Sequence, residues 1–151
     1  ELFFFPTSRI VKEKLETIFN TLKGINEIQI KQIEILGRKI EIIKSSKGVI
    51  WFDFSNICSA PRSSMDYIEI SKEFQTLIIS DMKKIESDDV ARRFISLIDE
   101  CYDRRVKIII SAEEDFREIY KGTNLKEKFK RTISRLIEMQ SKDYLKEAHK
   151  A

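Results

Sequence analysis

Two short runs of large apolar residues on either side of one amphipathic helical pattern constrain the fold of this chain most. The runs, residues 77–79 and 106–110, do not alternate with polar residues, which is typical of strands buried on both faces of a sheet. Between them, Ser87 can cap a helix whose first turn carries Asp88 and Asp89, where carboxylates favour the helix dipole. The apolar stripe of that helix is Val90, Ala91, Phe94, Leu97, Ile98 and Cys101. We therefore expect a parallel βαβ unit whose two strands are adjacent or nearly so.

The N-terminal half predicts one helix followed by an antiparallel meander. Thr7 or Ser8 can cap the helix, and Gly24 would end it. Alternating isoleucines, from Ile28 onward, predict a β-meander within residues 27–54, with residues 49–54 as its last strand. The opening without Met and with an apolar stretch at residues 2–5 predicts a strand or linker that continues from an upstream domain.

The rest of the chain predicts further helices around the βαβ unit. Ser63, with Asp66 three residues later, predicts the capped start of a short helix that runs to about Phe74. The predicted core face of a final helix is Leu125, Phe129, Ile133, Leu136, Ile137 and Met139. The fold class is therefore α/β: an N-terminal helix and β-meander, then a parallel βαβ unit and C-terminal helices, in one domain over residues 1–151.

The cysteine and histidine content excludes most metal and nucleophilic sites. His149 is the only histidine, which removes most zinc sites and most Ser-His or Cys-His catalytic machinery. Cys58 and Cys101 match no metal or redox spacing and fit a reducing compartment. Lys and Arg outnumber Asp and Glu by only 28 to 25, which is too small an excess to indicate nucleic acid. No apolar run approaches the roughly 18 residues of a membrane span.

The glycines do not form a phosphate-binding loop. Such a loop needs clustered glycines and a lysine at fixed spacing, whereas the four here are scattered: Gly24, Gly37, Gly48 and Gly122. Two carboxylates imitate the acidic strand end that holds Mg²⁺ in phosphate-loop enzymes. Asp81 follows a strand but is predicted to be a turn or capping residue, and Asp99 continues the stripe of a helix. We expect no ATP cradle and no metal site within the chain.

Basic residues gather in three places, at Arg92-Arg93, at Arg104-Arg105 and over residues 126–135. One interpretation is that these are solvated helix faces with interleaved carboxylates. The other is contact with phosphate or a partner, because the planar guanidinium binds pairs of oxygens. Aromatic residues do not alternate with these basic residues on a strand, which gives little support for a single-stranded nucleic-acid platform.

A set of motifs resembles one protein family. In chain order they are WFDFSNIC at 51–58, PRS at 61–63, DYIEI at 66–70, SDDVARRFI at 87–95, LIDECYD at 97–103, RTISRL at 131–136 and EMQS at 138–141. This order and spacing resemble the C-terminal part of the ZapE-type ATPases, which are bacterial cell-division AAA+ proteins with mitochondrial relatives. The resemblance covers nearly the whole chain, is strongest over residues 51–149 and is weakest over residues 7–47.

The resemblance implies a longer parent whose upstream half carries the P-loop and the acidic Mg²⁺ site. ATP and Mg²⁺ would then bind the parent, and the fragment alone would neither hydrolyse ATP nor bind it tightly. The implied role is ATP-dependent action on the division-ring protein FtsZ in bacteria, or protein quality control in mitochondria. A cytoplasmic or mitochondrial location, docking on the upstream ATP-binding domain and homo-oligomer formation are further implications.

The resemblance also implies candidate site residues. In AAA+ proteins an arginine on the smaller, later part often reaches the nucleotide phosphates, so Arg92 and Arg93 are the candidate nucleotide-sensing residues. Arg62, Arg131 and Arg135 are secondary candidates for phosphate or interface contact. Of the first pair, we expect Arg92 to face the surface and Arg93 to turn toward the carboxylate of Asp89. The structural alternative for the pair is a surface ion pair with Asp88, Asp89 or Asp99.

Two other functions are weighed against an ATPase lobe. The first is a protein-interaction or scaffold domain without any link to nucleotide, in which the family motifs only determine the fold. The second is a nuclease or other metal-dependent hydrolase that uses Asp53, Asp66 and Asp81. The spacing of these three carboxylates gives no warrant for such a site.

Overall fold

The computed structural model describes residues 2–23 and 30–151, and strands and helices alternate along most of them. The strands are β1 Phe3–Phe4, β2 Gln32–Ile35, β3 Arg38–Glu41, β4 Lys44–Ser46, β5 Val49–Asp53, β6 Thr76–Met82 and β7 Lys107–Ala112. The helices are α1 Arg9–Leu22, α2 Ser64–Glu73, α3 Asp88–Asp103, α4 Lys126–Glu138 and α5 Lys142–Lys146. A π-helical turn, Ser55–Ser59, directly follows β5.

Most of the described strands form one mixed sheet in the order β1-β7-β6-β5-β4. Within it β5, β6, β7 and β1 run parallel, and β4 pairs antiparallel with β5 at one edge. Ile78 on β6 lies between Trp51 on β5 and Ile109 on β7. Because β6 and β7 are adjacent and parallel, with α3 between them in the chain, the predicted βαβ unit is confirmed.

Helices cover both faces of this sheet. On one face, Leu15 and Phe19 of α1 pack against alternate residues of the strands, including Trp51 and Ile78. The residues between them point to the other face, where Phe52 belongs to the cluster that α2, α3 and α4 bury. The sheet is therefore apolar on both faces, which explains why its strands form continuous apolar runs.

The predicted helix starts are confirmed by their caps. Ser8 Oγ accepts a hydrogen bond from the N–H of Val11 at 3.1 Å, at the start of α1. Asp66 accepts one from the N–H of Ser63 at 2.8 Å, which is the reciprocal contact of a capping box. Ser87 Oγ accepts one from the third residue of α3 at 3.4 Å. Side-chain oxygens thus satisfy N–H groups that a helix start leaves without partners.

The predicted meander consists of two successive antiparallel hairpins. β2 pairs with β3 as a separate small sheet, whereas β4 and β5 belong to the main sheet. The hairpin turns carry positive φ at Gly37 (78°) and Gly48 (85°), a region open to glycine. Predictions that involve Gly24 and Ile28 fall outside the described residues.

Three local features differ from the sequence-based expectation. β6 continues beyond residue 79 to Met82 through a register irregularity, where Asp81 has a φ of 59°. The stretch after β5, expected to be irregular, contains the π-helical turn. Ile137, predicted in the core face of the last helix, is 48% exposed. It is exposed because α4 packs through Phe129 and Leu136, so the apolar stripe is wider than the buried contact.

The C-terminal segment is held against the start of β7. Lys107 Nζ donates hydrogen bonds to the carbonyl oxygens of Tyr144 at 3.0 Å and Glu147 at 2.8 Å. A ring nitrogen of His149 lies 2.6 Å from the carbonyl oxygen of Ser71 in α2. The sole histidine thus has a packing contact with the backbone. Among the described residues, no helix combines the length and apolarity needed to cross a membrane.

Candidate functional site

Two of the candidate arginines hold the π-helical turn in place. The carbonyl oxygens of residues 56, 57 and 58 accept hydrogen bonds, in that order, from Arg62 Nε (3.0 Å), the Tyr67 hydroxyl (2.7 Å) and Arg93 Nη1 (3.2 Å). The donors come from the loop after the turn, from α2 and from α3. These elements therefore converge on one short backbone segment at the C-terminal end of β5, and the structure brings Arg62 and Arg93 together there.

The interior of this cluster is neutral. Cys58 and Tyr67 have no exposed surface, and burial raises the pKa of the Cys58 thiol and of the Tyr67 phenol above their ordinary ranges. The thiol therefore stays protonated at neutral pH and is a poor nucleophile, because the thiolate is the reactive form. The cluster can position backbone and arginine side chains but offers no covalent chemistry.

Arg92 lies on the surface next to this cluster. Its side chain is 59% exposed, and its Nη1 is 3.3 Å from Asp89 Oδ1, one turn earlier in α3. The prediction that Arg92 faces outward is confirmed. The prediction that Arg93 turns toward Asp89 is wrong. The carbonyl of Cys58 accepts a hydrogen bond from Arg93 instead, and Arg92 is the partner of Asp89.

The other carboxylates considered as partners for the pair are engaged elsewhere. Asp88 accepts hydrogen bonds from Asn124 Nδ2 and from the Tyr120 hydroxyl, both at 2.9 Å, and these bonds lower the pKa of the Asp88 carboxyl. Asp99 lies in α3, as predicted, and pairs with arginines of α4. Of the three proposed ion-pair partners, only Asp89 contacts Arg92 among the described residues.

Arg131 and Arg135 join α4 to α3. Both contact Asp99, Arg131 at 3.2 Å, and Arg135 also lies over the ring of Tyr102 at 4.7 Å. Asp99 is seven residues after Arg92, or about 10 Å further along α3. The two secondary candidates are therefore separated from Arg92 and serve a helix–helix contact.

The carboxylates of the hydrolase hypothesis do not form one group. Asp66 is fully buried and pairs with Arg38. Asp53 and Asp81 instead line a cavity of about 220 Å³ at the C-terminal ends of the strands. Within the described ranges, no three His, Cys, Asp or Glu side chains converge closely enough to hold a metal ion.

The sequence-based site prediction missed two serines that line the same cavity, Ser80 and Ser111. A signal for them exists in the sequence. Each follows an apolar strand run at a position that period-two alternation places on the α1 face.

Comparison with known proteins identifies relatives over the full chain. The family model for AFG1-like ATPases matches residues 1–148. The cell division protein ZapE of Escherichia coli K12 is 36% identical over 154 aligned positions, which cover 99% of this chain and 40% of that protein. An uncharacterized protein of Schizosaccharomyces pombe is 42% identical over 91 positions, covering 59% of this chain and 20% of that protein.

A more distant relative is lactation elevated protein 1 homolog B of Danio rerio, which is 25% identical over 146 positions, covering 74% of this chain and 29% of that protein. No solved structure matches the chain. The chain spans two fifths or less of the length of these relatives. Because the family model extends over nearly every residue, the chain belongs to the AFG1-like ATPase family.

Proposed function

We propose that this chain is the C-terminal domain of a ZapE-like P-loop ATPase, and that it couples ATP binding and hydrolysis in the parent to action on a partner protein. ATP and Mg²⁺ would be held by the upstream ATP-binding domain, on which this chain docks. The name of the Escherichia coli relative supports a role in cell division, with FtsZ as the candidate client. This role places the protein in the cytoplasm of a bacterium, or in the mitochondrion of a eukaryote.

The observation that carries the proposal is the placement of Arg92. Its side chain is 59% exposed, and the carboxylate with which it pairs among the described residues, Asp89, is also exposed. Such a pair contributes about 0.3–0.5 kcal/mol, so an incoming phosphate can displace it at little cost. Arg93, one residue later, anchors the same helix turn to the π-helical turn. Arg92 is therefore an exposed and weakly paired cation on a fixed support, which suits contact with a phosphate bound by another domain.

The direct test is Arg92→Ala in the full-length parent. ATP turnover should fall at least about tenfold, which corresponds to about 1.4 kcal/mol of lost transition-state stabilisation. Arg117→Ala is a matched control. Its side chain is 54% exposed and pairs with Asp115 at 3.3 Å, so the substitution removes an arginine of similar exposure, also paired with an aspartate, away from α3. Turnover of the control should equal that of the unmodified parent.

Thermal unfolding of the 151-residue chain separates this role from a structural one. Arg92→Ala should leave its unfolding temperature nearly unchanged. Unchanged turnover together with a loss of more than about 1 kcal/mol of stability would show that Arg92 is only an ion-pair partner. Calorimetry of the same chain with Mg-ATP should show no tight binding. A stoichiometric micromolar site that disappears on denaturation would contradict that expectation.

A scaffold function without nucleotide remains the second candidate, and exposed apolar side chains at the β1 edge favour it. Phe5 (46% exposed) lies beside Ile137 (48%), and Ile10 (66%) lies beside Phe4 on the other face of the sheet. Apolar residues grouped near an open sheet edge are typical of protein contacts. Under this hypothesis, Phe5→Ser with Ile10→Ser would abolish partner binding, while Arg92→Ala would change neither partner binding nor ATP turnover.

A further inference from the structure

The cavity lined by Asp53 and Asp81, here called the strand-end crevice, lies where α/β sheets place ligand sites. It is formed between the N-terminal turn of α1 and the C-terminal ends of β5, β6 and β7. The segment after β1 leads to α1 on one face, whereas those after β5 and β6 lead to α2 and α3 on the other. β1 and the β5–β6 pair, which β7 separates, thus send the chain to opposite faces of the sheet, and ligands bind outside the carboxyl ends of strands near such a switch.

A row of polar side chains forms the sheet side of the crevice. Ser80 is paired in register with Asp53 on β5, and Ser111 is paired with Phe4 on β1. Ser80 and Ser111 are 5% and 2% exposed. Polar groups so deeply buried normally have hydrogen-bond partners. A donor or acceptor of this row that has no partner therefore indicates which groups an occupant of the crevice would supply.

Both serine hydroxyls are used as acceptors. Ser80 Oγ accepts a hydrogen bond from the indole Nε1 of Trp51 at 2.9 Å, and Ser111 Oγ accepts one from the N–H of Asp81 at 2.9 Å. Neither hydroxyl donates to an acceptor among the described residues. Two buried O–H donors are therefore available to an occupant that carries acceptor oxygens.

Asp53 and Asp81, in contrast, place hydrogen-bond acceptors in the crevice. Asp81 has a φ of 59°, within a strand, and is one of the residues that line the crevice. Asp53 accepts hydrogen bonds from the N–H and hydroxyl of Ser55 on Oδ2, which leaves Oδ1 for an occupant. An occupant must therefore donate hydrogen bonds to carboxylates as well as accept them from serines.

The donor and acceptor inventory selects one class of ligand. A phosphate or carboxylate would accept from the serines and be attracted by Lys12, which also lines the crevice. Asp53 and Asp81 nevertheless set two carboxylates against this one ammonium, so an anion would meet a lining of net negative charge. A metal ion or ammonium would suit the carboxylates but could not accept from Ser80 and Ser111. Hydroxyl groups on one small molecule do both. We infer that the strand-end crevice binds a neutral polyhydroxylated ring, namely a pentose or hexose unit.

The size and apolar lining agree with such a ring. A cavity of about 220 Å³ is smaller than the roughly 300 Å³ at which pockets begin to hold drug-sized ligands, and it suits one small ring. Val11, Leu15 and Ile43 line it opposite the polar row and offer contacts for ring C–H groups. The inference does not depend on the proposed nucleotide-sensing role of Arg92.

Amide NMR titration of the 151-residue chain with ribose, glucose and adenosine tests the inference. Saturable shifts are expected at residues 7–8, 80–81 and 111, with a dissociation constant on the order of 1 mM. Adenosine binding at least tenfold tighter than ribose would identify the ring as part of a nucleoside. Equal affinities would identify a free sugar. Both outcomes support the site.

Asp81→Gly separates a binding role from a structural one. Glycine adopts the positive φ without strain, so the unfolding temperature should stay equal or rise while sugar affinity falls at least tenfold. Asp103→Asn removes a carboxylate at the far end of α3 and should leave affinity unchanged. The inference is overturned if none of the three ligands gives saturable shifts, if Asp81→Gly binds normally, or if MgCl₂ alone shifts these residues.

Discussion

Asp66 is the charged residue whose environment most limits substitution. It has no exposed surface, it pairs with Arg38 from β3, and it accepts the N–H of Ser63 at 2.8 Å. Asp66→Ala would remove a buried charge on which Arg38 and a helix N-terminus both depend. We expect it to lower the free energy of unfolding by about 3 kcal/mol, because breaking a buried ion pair leaves its partner groups unsatisfied. Guanidinium chloride unfolding measures this change.

Glu69→Ala provides the comparison within the same helix. Glu69 lies one turn later in α2 and is half-buried. Its loss should change the free energy of unfolding by no more than about 0.5 kcal/mol. Similar losses for Asp66→Ala and Glu69→Ala would show that the buried pair contributes no more than the half-buried carboxylate of Glu69.

Among the structural elements, the C-terminal segment is held in part by one ammonium group, that of Lys107. Lys107 Nζ donates to the carbonyl oxygens of Arg105, Tyr144 and Glu147, and burial lowers the pKa of this lysine. Lys107→Met keeps most of the side-chain length but removes these donors. We expect amide hydrogen exchange of residues 142–151 to accelerate at least tenfold, while exchange in β6 stays slow, because the sheet core opens only globally.

The prediction requires that the faster amide exchange be confined to residues 142–151. If β6 and the C-terminal segment accelerate together, the segment is part of the globally cooperative unit, and the role assigned to Lys107 is wrong. Lys146→Met is a suitable control, because Lys146 is an exposed lysine in the same segment. Its exchange pattern should match that of the unmodified chain.

Which elements the sequence predicts depends on the range of the contacts that define them. The βαβ unit and the three capped helix starts follow from residues within one or two turns of each other, so local sequence patterns predict them. The partner of Arg93 cannot be predicted in this way, because the carbonyl oxygen that accepts its hydrogen bond belongs to Cys58, 35 residues away in the π-helical turn. The prediction that Ile137 is buried is wrong for a related reason, since the sequence shows an apolar stripe but not the width of the surface against which it packs.

The strand-end crevice is an intermediate case. Asp53, Ser80 and Ser111 each end an apolar strand on the same side, and alternation could have placed them together. The sequence pattern does not give the order of these strands in the sheet. Only the pairing of β5 with β6 and of β6 with β7 brings these ends side by side. Local patterns therefore predict the elements, whereas site geometry requires the topology.

For the molecule as a whole, we expect the two buried cysteines to make the free energy of unfolding fall as the pH becomes alkaline. Burial raises the pKa of Cys58 and Cys101 above the ordinary value of 9.0. Above about pH 9 the unfolded chain releases these protons while the folded chain keeps them. The contribution is thus full below pH 9 and falls as pH rises, by about 1.4 kcal/mol per pH unit for each thiol. Urea unfolding between about pH 7 and 10 should show this decline.

The double variant Cys58→Ala with Cys101→Ala isolates the thiols from other groups. It should be less stable at pH 7, because each substitution leaves a small cavity, yet its stability should decline less between about pH 9 and 10. The window ends there because Tyr67 and Tyr144, whose pKa values burial also raises, begin to contribute above their ordinary value of 10.0. Parallel declines in both proteins would rule out the thiols as the cause.

The π-helical turn has a thermodynamic consequence for the whole molecule. It directly follows β5, whose last residue, Asp53, lines the strand-end crevice, and its carbonyls are held by Arg62 and Arg93 beside the exposed Arg92. One short segment therefore connects two places on opposite faces of the sheet. If occupancy of either place favours one position of this turn, each ligand raises the affinity for the other by the same factor, because linkage between two sites is reciprocal.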